Sequence, residues 1–224
     1  MKRFFTPCPN ESVTALACSV LAHYGCKPQN PTLLTADRLL FTAPRNVILL
    51  LLDGLGFDIL VRHLPEHSFL REHLLCTLSS VFPPTTAAAA TALETGLFPS
   101  QSGWLGWSVF WPELGKNVAL YPNTDDAGNP AAPFHVGKTK LKTVSLPEQI
   151  RKKSDAFSCT AKTLSELTSS IRAITNAPGP HMVYGYLDEP DHSLHREGCG
   201  SLTAREFLRE ADRQMRLLAD ACPD

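Results

Sequence analysis

The chain lacks cysteine pairs, a charge excess of either sign and any long hydrophobic run, and each gap removes a class of protein. Its seven cysteines are odd in number, scattered from Cys8 to Cys222, and never spaced as CxxC. Reduced thiols in a cytoplasmic protein are the expectation. The net charge is −1, so no basic surplus points to nucleic acid or to an anionic membrane. The leucine run Leu49–Leu52 is far too short to span a bilayer. The opening "MKRFFTPCPNES" starts with basic residues. Pro7, Pro9, Asn10 and Glu11 interrupt it before an apolar stretch develops, so a signal peptide is not expected. Internal repeats are missing, and the only biased tract is the alanine run after Thr86.

What is present suits a globular α/β protein. The chain has 224 residues, 43% hydrophobic and 19% charged, enough for a sizeable core. Residues 12–25 carry Val13, Leu16, Val20 and Leu21 at helical spacing, with Asn10 or Ser12 as N-cap and Gly25 as a stop. "NVILLLL" (46–52) reads as a strand buried on both faces, followed by a helix over 57–63. "CTLSSVF" (76–82) is a second strand candidate, and 83–96 reads as a Pro-rich turn, a threonine at the helix entry, an Ala-rich helix and a glycine stop. Residues 97–145 are expected to form long loops, with "NVALYPN" as one strand. Helices are expected over 145–153, over "LSELTSSIRAI" and over 203–221, and strands at "AFSCTAKT" and "HMVYGYL". The alternation predicts a mostly parallel central sheet with helices on both faces. The expected division is an N-terminal helical segment, 1–44, and an α/β core, 45–224.

Open α/β sheets place their sites at strand C-terminal ends, and three candidates sit there. Asp53 follows the leucine strand, with Gly54 and Gly56 after it. It is either a turn or cap residue, or a ligand beside a backbone kept open by glycine. Thr85 and Thr86 open the Ala-rich helix. They are either a capping pair, or they include a nucleophile at the positive end of a helix. "LDEPDHSLH" (187–195) sets Asp191 and His195 four apart, on one face if helical. That is either a solvated acidic turn, with Asp188, Glu189 and His192 crowding it, or a carboxylate–imidazole pair for a first-row metal.

Together, "LLDGLGFD", "TTAAAATALETGLFPSQSG" and "YLDEPDHSLH" resemble the nucleotide pyrophosphatase/phosphodiesterase branch of the alkaline phosphatase superfamily. The resemblance runs over roughly residues 45–220 and implies an α/β core with two Zn²⁺ ions bridged across a phosphate. The mixed O/N donor set also admits Mn²⁺. It implies that Asp53 and Thr86 ligate one ion, and that Asp191 and His195 help hold the other. Thr86, nine residues before Thr95-Gly96, is implied as the nucleophile that forms a phosphothreonine, with Thr85 as the fallback. The implied substrate is a small phosphodiester or pyrophosphate. Phosphomonoester, sulfate or phosphonate hydrolysis is the alternative within the superfamily.

Several positions depart from the family pattern. "AAAA" replaces Phe-Pro-Asn-His after the nucleophile, Leu194 stands where the motif has glycine, and Ser102 stands where histidine is frequent. The phosphate-binding asparagine, 21 residues after the nucleophile, is replaced by Trp107. Its indole N–H can donate one hydrogen bond but cannot copy a carboxamide. Trp104, Trp107, Phe110 and Trp111 form either a pocket wall or ordinary packing. The family continues into a further strand ending in Asp-His-Gly and then a final histidine, whereas this sequence ends at "LADACPD". The expectation is therefore an incomplete alkaline phosphatase-like core, shortened at its C-terminus and short of metal ligands. A non-catalytic fragment is the reading from a different class.

Overall fold

A computed structural model describes residues 8–222. The first seven residues, where the basic opening lies, and the final two, which close the expected 45–224 core, are outside the described residues. The chain divides into two compact units. One takes residues through Thr42 together with Leu78–Gln149, and the other takes Ala43–Thr77 with the chain from Ile150 onward. The N-terminal helical segment thus belongs with residues 78–149 rather than standing apart. A boundary does fall after Thr42, near the expected residue 44, but residues 78–149 leave the expected core because packing joins elements distant in sequence.

The described strands are β1 (Asn46–Leu52), β2 (Ser108–Trp111), β3 (Lys116–Ala119), β4 (Asp155–Thr160) and β5 (His181–Leu187). In the second unit β1, β5 and β4 form a three-stranded sheet in that order, with both pairings parallel. The α/β class with a parallel sheet is as expected. The strand buried on both faces is β5, however, not the leucine strand. Val47 and Leu49 are the buried members of β1, while every residue of β5 except Tyr186 is buried. The central place in the described sheet goes to "HMVYGYL", and β1 takes a flank.

Register decides which side chains share a face. Ile48, Leu50 and Leu52 pair with Val183, Gly185 and Leu187 and therefore point the same way. Against that face pack Leu167 and Ile171 of the Leu164–Thr175 helix and Ala211 and Leu218 of the Leu202–Ala221 helix. Each helix starts on a hydroxyl cap: Thr163 accepts from the Glu166 N–H at 3.2 Å, and Ser201 from the Ala204 N–H at 3.1 Å. Gly185 lets the layers approach. A Cβ there would stand 2.9 Å from Leu50 Cδ1, 3.4 Å from Ile171 Cδ1 and 3.6 Å from Leu167 Cδ1.

The first unit is built around two helices. In Val13–His23, Ser12 is the N-cap and accepts from the Ala15 N–H at 3.2 Å. The Ala-rich helix Thr86–Thr95 packs beside it. Small side chains permit the close approach, and Ala87, Ala88 and Ala92 are fully buried. Gly96 ends the second helix at φ 74°, and a Cβ on it would sit 3.0 Å from Leu21 Cδ1. The expected strand over 76–82 does not form. Only Ser79 makes a bridge, to Ser12, and Pro83 and Pro84 follow without N–H donors. Residues 97–145, expected as loops, hold the antiparallel hairpin β2–β3 and two short helices, Pro99–Ser102 and Val136–Leu141. The 145–153 helix is confined to Leu146–Ile150. Among the described residues no helix is long and apolar enough to cross a membrane.

Gly185→Val is expected to destabilise the protein by about 1–3 kcal/mol through overpacking. Gly200→Ala, where a Cβ meets nothing within 4 Å, is expected to stay within about 0.5 kcal/mol. Urea denaturation of the two variants checks the contrast, and equal midpoints would refute the packing role of Gly185.

Candidate functional site

Asp53 is held where β1 ends, by its own backbone. Its N–H donates to the Leu187 carbonyl at 3.0 Å, and its carbonyl accepts from the Asp191 N–H at 2.9 Å. These bonds carry the β1–β5 pairing one step past the strands and tie it to the first residue of the Asp191–Glu197 helix. Gly54 makes the junction possible. It adopts φ +74°, and a Cβ on it would lie 2.7 Å from Asp191 Cα. Any side chain there would collide with backbone, which cannot swing aside. Gly56 is different: a Cβ there meets nothing within 4 Å.

The side chains follow from this frame. Asp191 and His195 lie one turn apart on their helix, with His195 Nε2 3.4 Å from Asp191 Oδ2, as the i,i+4 spacing predicts. Asp53 Oδ2 accepts a hydrogen bond from the Tyr186 hydroxyl at 2.9 Å. Tyr186 pairs with Leu51 in the sheet, so alternation puts it on the face toward which Asp53 continues. The neighbouring loop residues separate in role. Glu189 Oε2 accepts from the Ser193 N–H at 3.1 Å and caps the helix, whereas Asp188 and His192 are exposed.

A cleft of about 380 Å³ opens at the C-terminal ends of β4 and β5. Thr160, Lys162, Tyr186, Asp188 and Glu189 are among its walls. The sequence reading missed Tyr186 and Lys162. Strand alternation would have found Tyr186 only with the β1–β5 register in hand.

In the first unit the two threonines differ. Thr85 is the N-cap of the Thr86–Thr95 helix, its hydroxyl accepting from the Ala88 N–H at 3.4 Å. Thr86 is the first helical residue and half-buried. Its hydroxyl makes no hydrogen bond among the described residues. Trp107 is 51% exposed, and its ring lies 6.0 Å from that of Tyr121. The aromatic set divides. Trp104 is buried and Trp111 packs against the core, while Phe110 is exposed like Trp107. Ser102 is buried and accepts from the Trp104 N–H at 3.2 Å.

A metal ion would find suitable donor types here, since a carboxylate and an imidazole on one helix face match first-row cations. The donor number falls short. Among the described residues no group of three or more His, Cys, Asp or Glu side chains is arranged to hold a metal. Asp191 and His195 offer two donors, 3.4 Å apart.

A second cleft, of about 370 Å³, lies in the first unit and includes Glu94, Trp104, Tyr121 and Lys138 in its lining. Burial pushes the Glu94 carboxyl above its ordinary range. Lys138 pulls it down and Glu148 pushes it further up.

Residues 47–141 match the family model of type I phosphodiesterase / nucleotide pyrophosphatase. Two solved structures of murine ectonucleotide pyrophosphatase/phosphodiesterase 5 share the fold. One, an inactive threonine-to-alanine variant in complex with AMP, aligns at a TM-score of 0.59 and 17% identity. The other aligns at 0.58 and 17%. Each alignment covers 78% of this chain and 51% of the other, so this chain spans about half the length of those proteins. No curated protein matches its sequence.

Gly54→Ala is expected to cost about 1–2 kcal/mol from the left-handed backbone alone, before the collision with Asp191. Hydrogen exchange at the Asp191 amide should accelerate, and unchanged exchange would disprove the interlock. A carboxyl raised in the fold stabilises it below the ordinary glutamate pKa, and that stability is lost as pH rises through the raised value. Glu94→Gln is therefore expected to stabilise the protein at neutral pH. The gain should vanish as pH falls below the ordinary glutamate range, as read by denaturation midpoints across pH.

Proposed function

We propose that this phosphodiesterase/nucleotide pyrophosphatase-like chain, of that family type over residues 47–141, belongs to a hydrolase of phosphodiesters or pyrophosphates. The observation that carries the reading is the backbone junction that sets Asp53 beside Asp191 at the ends of parallel strands. A carboxylate-bearing residue at each end of that backbone bond suits cation chemistry at the place where open α/β sheets put their sites. The AMP complex of the structural relative supports a nucleotide-type substrate.

Thr86 is assigned the nucleophile. With the Thr85 oxygen occupied by capping, the Thr86 hydroxyl is the one left available at a helix start, where free N–H groups and the dipole favour an anion. Its oxygen attacks phosphorus in line and gives its proton to solvent water, and the alcohol or phosphate leaving group departs with the bonding electron pair and takes up a proton from solvent. Water then displaces Thr86 from the phosphothreonine, which restores the hydroxyl and releases the phosphate product. Asp53, Asp191 and His195, with the Thr86 oxygen, are the groups assigned to two divalent cations, Zn²⁺ first and Mn²⁺ as the alternative. Bound cations would neutralise phosphate charge as Lewis acids. Tyr186 holds the Asp53 carboxylate in place through its hydroxyl. Trp107 is assigned one hydrogen bond to substrate from its indole N–H.

A full-length version, with the donors this chain lacks and supplied with Zn²⁺, should hydrolyse bis(p-nitrophenyl) phosphate faster than p-nitrophenyl phosphate, and chelation should abolish turnover until metal is restored. Thr86→Ala is expected to lower kcat by about a thousandfold or more. Thr85→Ala should retain turnover and lose about 1 kcal/mol of stability as a removed cap. Full activity in Thr86→Ala would sink the nucleophile assignment. A higher rate on the monoester would move the protein to the monoesterase reading.

A further inference from the structure

We propose that the first unit carries a second ligand site, for a neutral polyhydroxylated ring of the saccharide type, in the cleft beside the last two turns of the Thr86–Thr95 helix. The cleft, of about 370 Å³, falls in the size range of small-molecule sites. Its walls join three kinds of group. Tyr121, 38% exposed, offers an aromatic face, backed by the buried ring of Trp104 at a centroid distance of 5.3 Å. Thr143 contributes a hydroxyl, which donates and accepts, while the buried Thr91 hydroxyl lies 3.5 Å from that of Tyr121. Glu94 supplies an acceptor and Lys138 a donor.

The charged groups decide the ligand class. Among the described residues, neither the Glu94 carboxylate nor the Lys138 ammonium makes a side-chain hydrogen bond or an ion pair within 4 Å. Each therefore has hydrogen-bonding capacity to offer. Glu148 is different, because its Oε2 is taken by the N–H and hydroxyl of Ser145 at 3.0 and 2.9 Å. A phosphorylated ligand would face two carboxylates against one lysine, so the cleft disfavours the anions proposed for the hydrolytic site. An organic cation would gain from Glu94 and the rings but be repelled by Lys138. A neutral ring with adjacent hydroxyls meets neither penalty. One hydroxyl donates to the half-buried Glu94 carboxylate, whose desolvation has left it short of partners. Its neighbour accepts from Lys138, and the C–H face of the ring lies on Tyr121. The site is independent of the hydrolytic reading, since it uses none of Asp53, Thr86, Asp191 or His195.

The test is titration of the full chain with methyl β-D-glucopyranoside, methyl β-D-galactopyranoside and myo-inositol, followed by tryptophan fluorescence and calorimetry. Saturable binding of at least one is expected. Glu94→Gln and Lys138→Met should each weaken it about tenfold, the loss of one charge-assisted hydrogen bond, with circular dichroism unchanged. Trp104 is avoided because its burial makes misfolding the expected result of truncation. Binding by none of the three, wild-type affinity in both variants, or capture of tetramethylammonium or inorganic phosphate in place of the sugars would overturn the proposal.

Discussion

The candidate site in the second unit depends on two backbone hydrogen bonds at one aspartate. Asp53 donates to Leu187 and accepts from Asp191, so the end of β1, the end of β5 and the start of the Asp191–Glu197 helix are fixed at one point. Backbone bonds are indifferent to side-chain identity, and this junction therefore positions the Asp53 and Asp191 carboxylates without using them. Gly54 is the condition for it, since the distance to Asp191 Cα leaves no room for a Cβ. Tyr186 adds a side-chain bond that orients the Asp53 carboxylate, and Asp191 and His195 lie side by side on their helix.

The threonine helix shows the same separation between holding and acting. Thr85 closes the helix start with its own oxygen, and Thr86 follows with its hydroxyl unengaged. Alanines occupy the next positions for a packing reason. Ala88 is fully buried in a cluster with Val81, Ala92 and Val13, and Ala87 is fully buried against Trp104 and Leu120. The unusual "AAAA" of this sequence is thus tied to how its first unit is packed.

Most of the regular structure was legible because local signals agreed with tertiary packing. The strand at 46–52 and the helix at 57–63 fall where periodicity put them, and Gly96 ends the Ala-rich helix in the left-handed conformation that the glycine stop implied. The failures share a cause. "CTLSSVF" has strand composition but finds one bridge instead of a ladder, because a strand requires a neighbour that composition does not specify. "NVILLLL" has the composition of a central strand yet flanks the described sheet, since centrality is a property of pairing order.

The sequence by itself determined the residues available for chemistry: an aspartate after a leucine strand, a threonine pair before alanines, and an Asp–His pair one helical turn apart. It also determined the parallel α/β class, through alternation of apolar runs with capped helices. Only the tertiary structure decided that Asp53 and Asp191 share a backbone bond, that Tyr186 reaches Asp53, and that Glu94 and Lys138 line one cleft. The physical reason is range. Caps, turns and i,i+4 pairs are set by neighbours a few residues away, whereas these contacts join positions 138, 133 and 44 residues apart, where only packing of the folded chain brings them together.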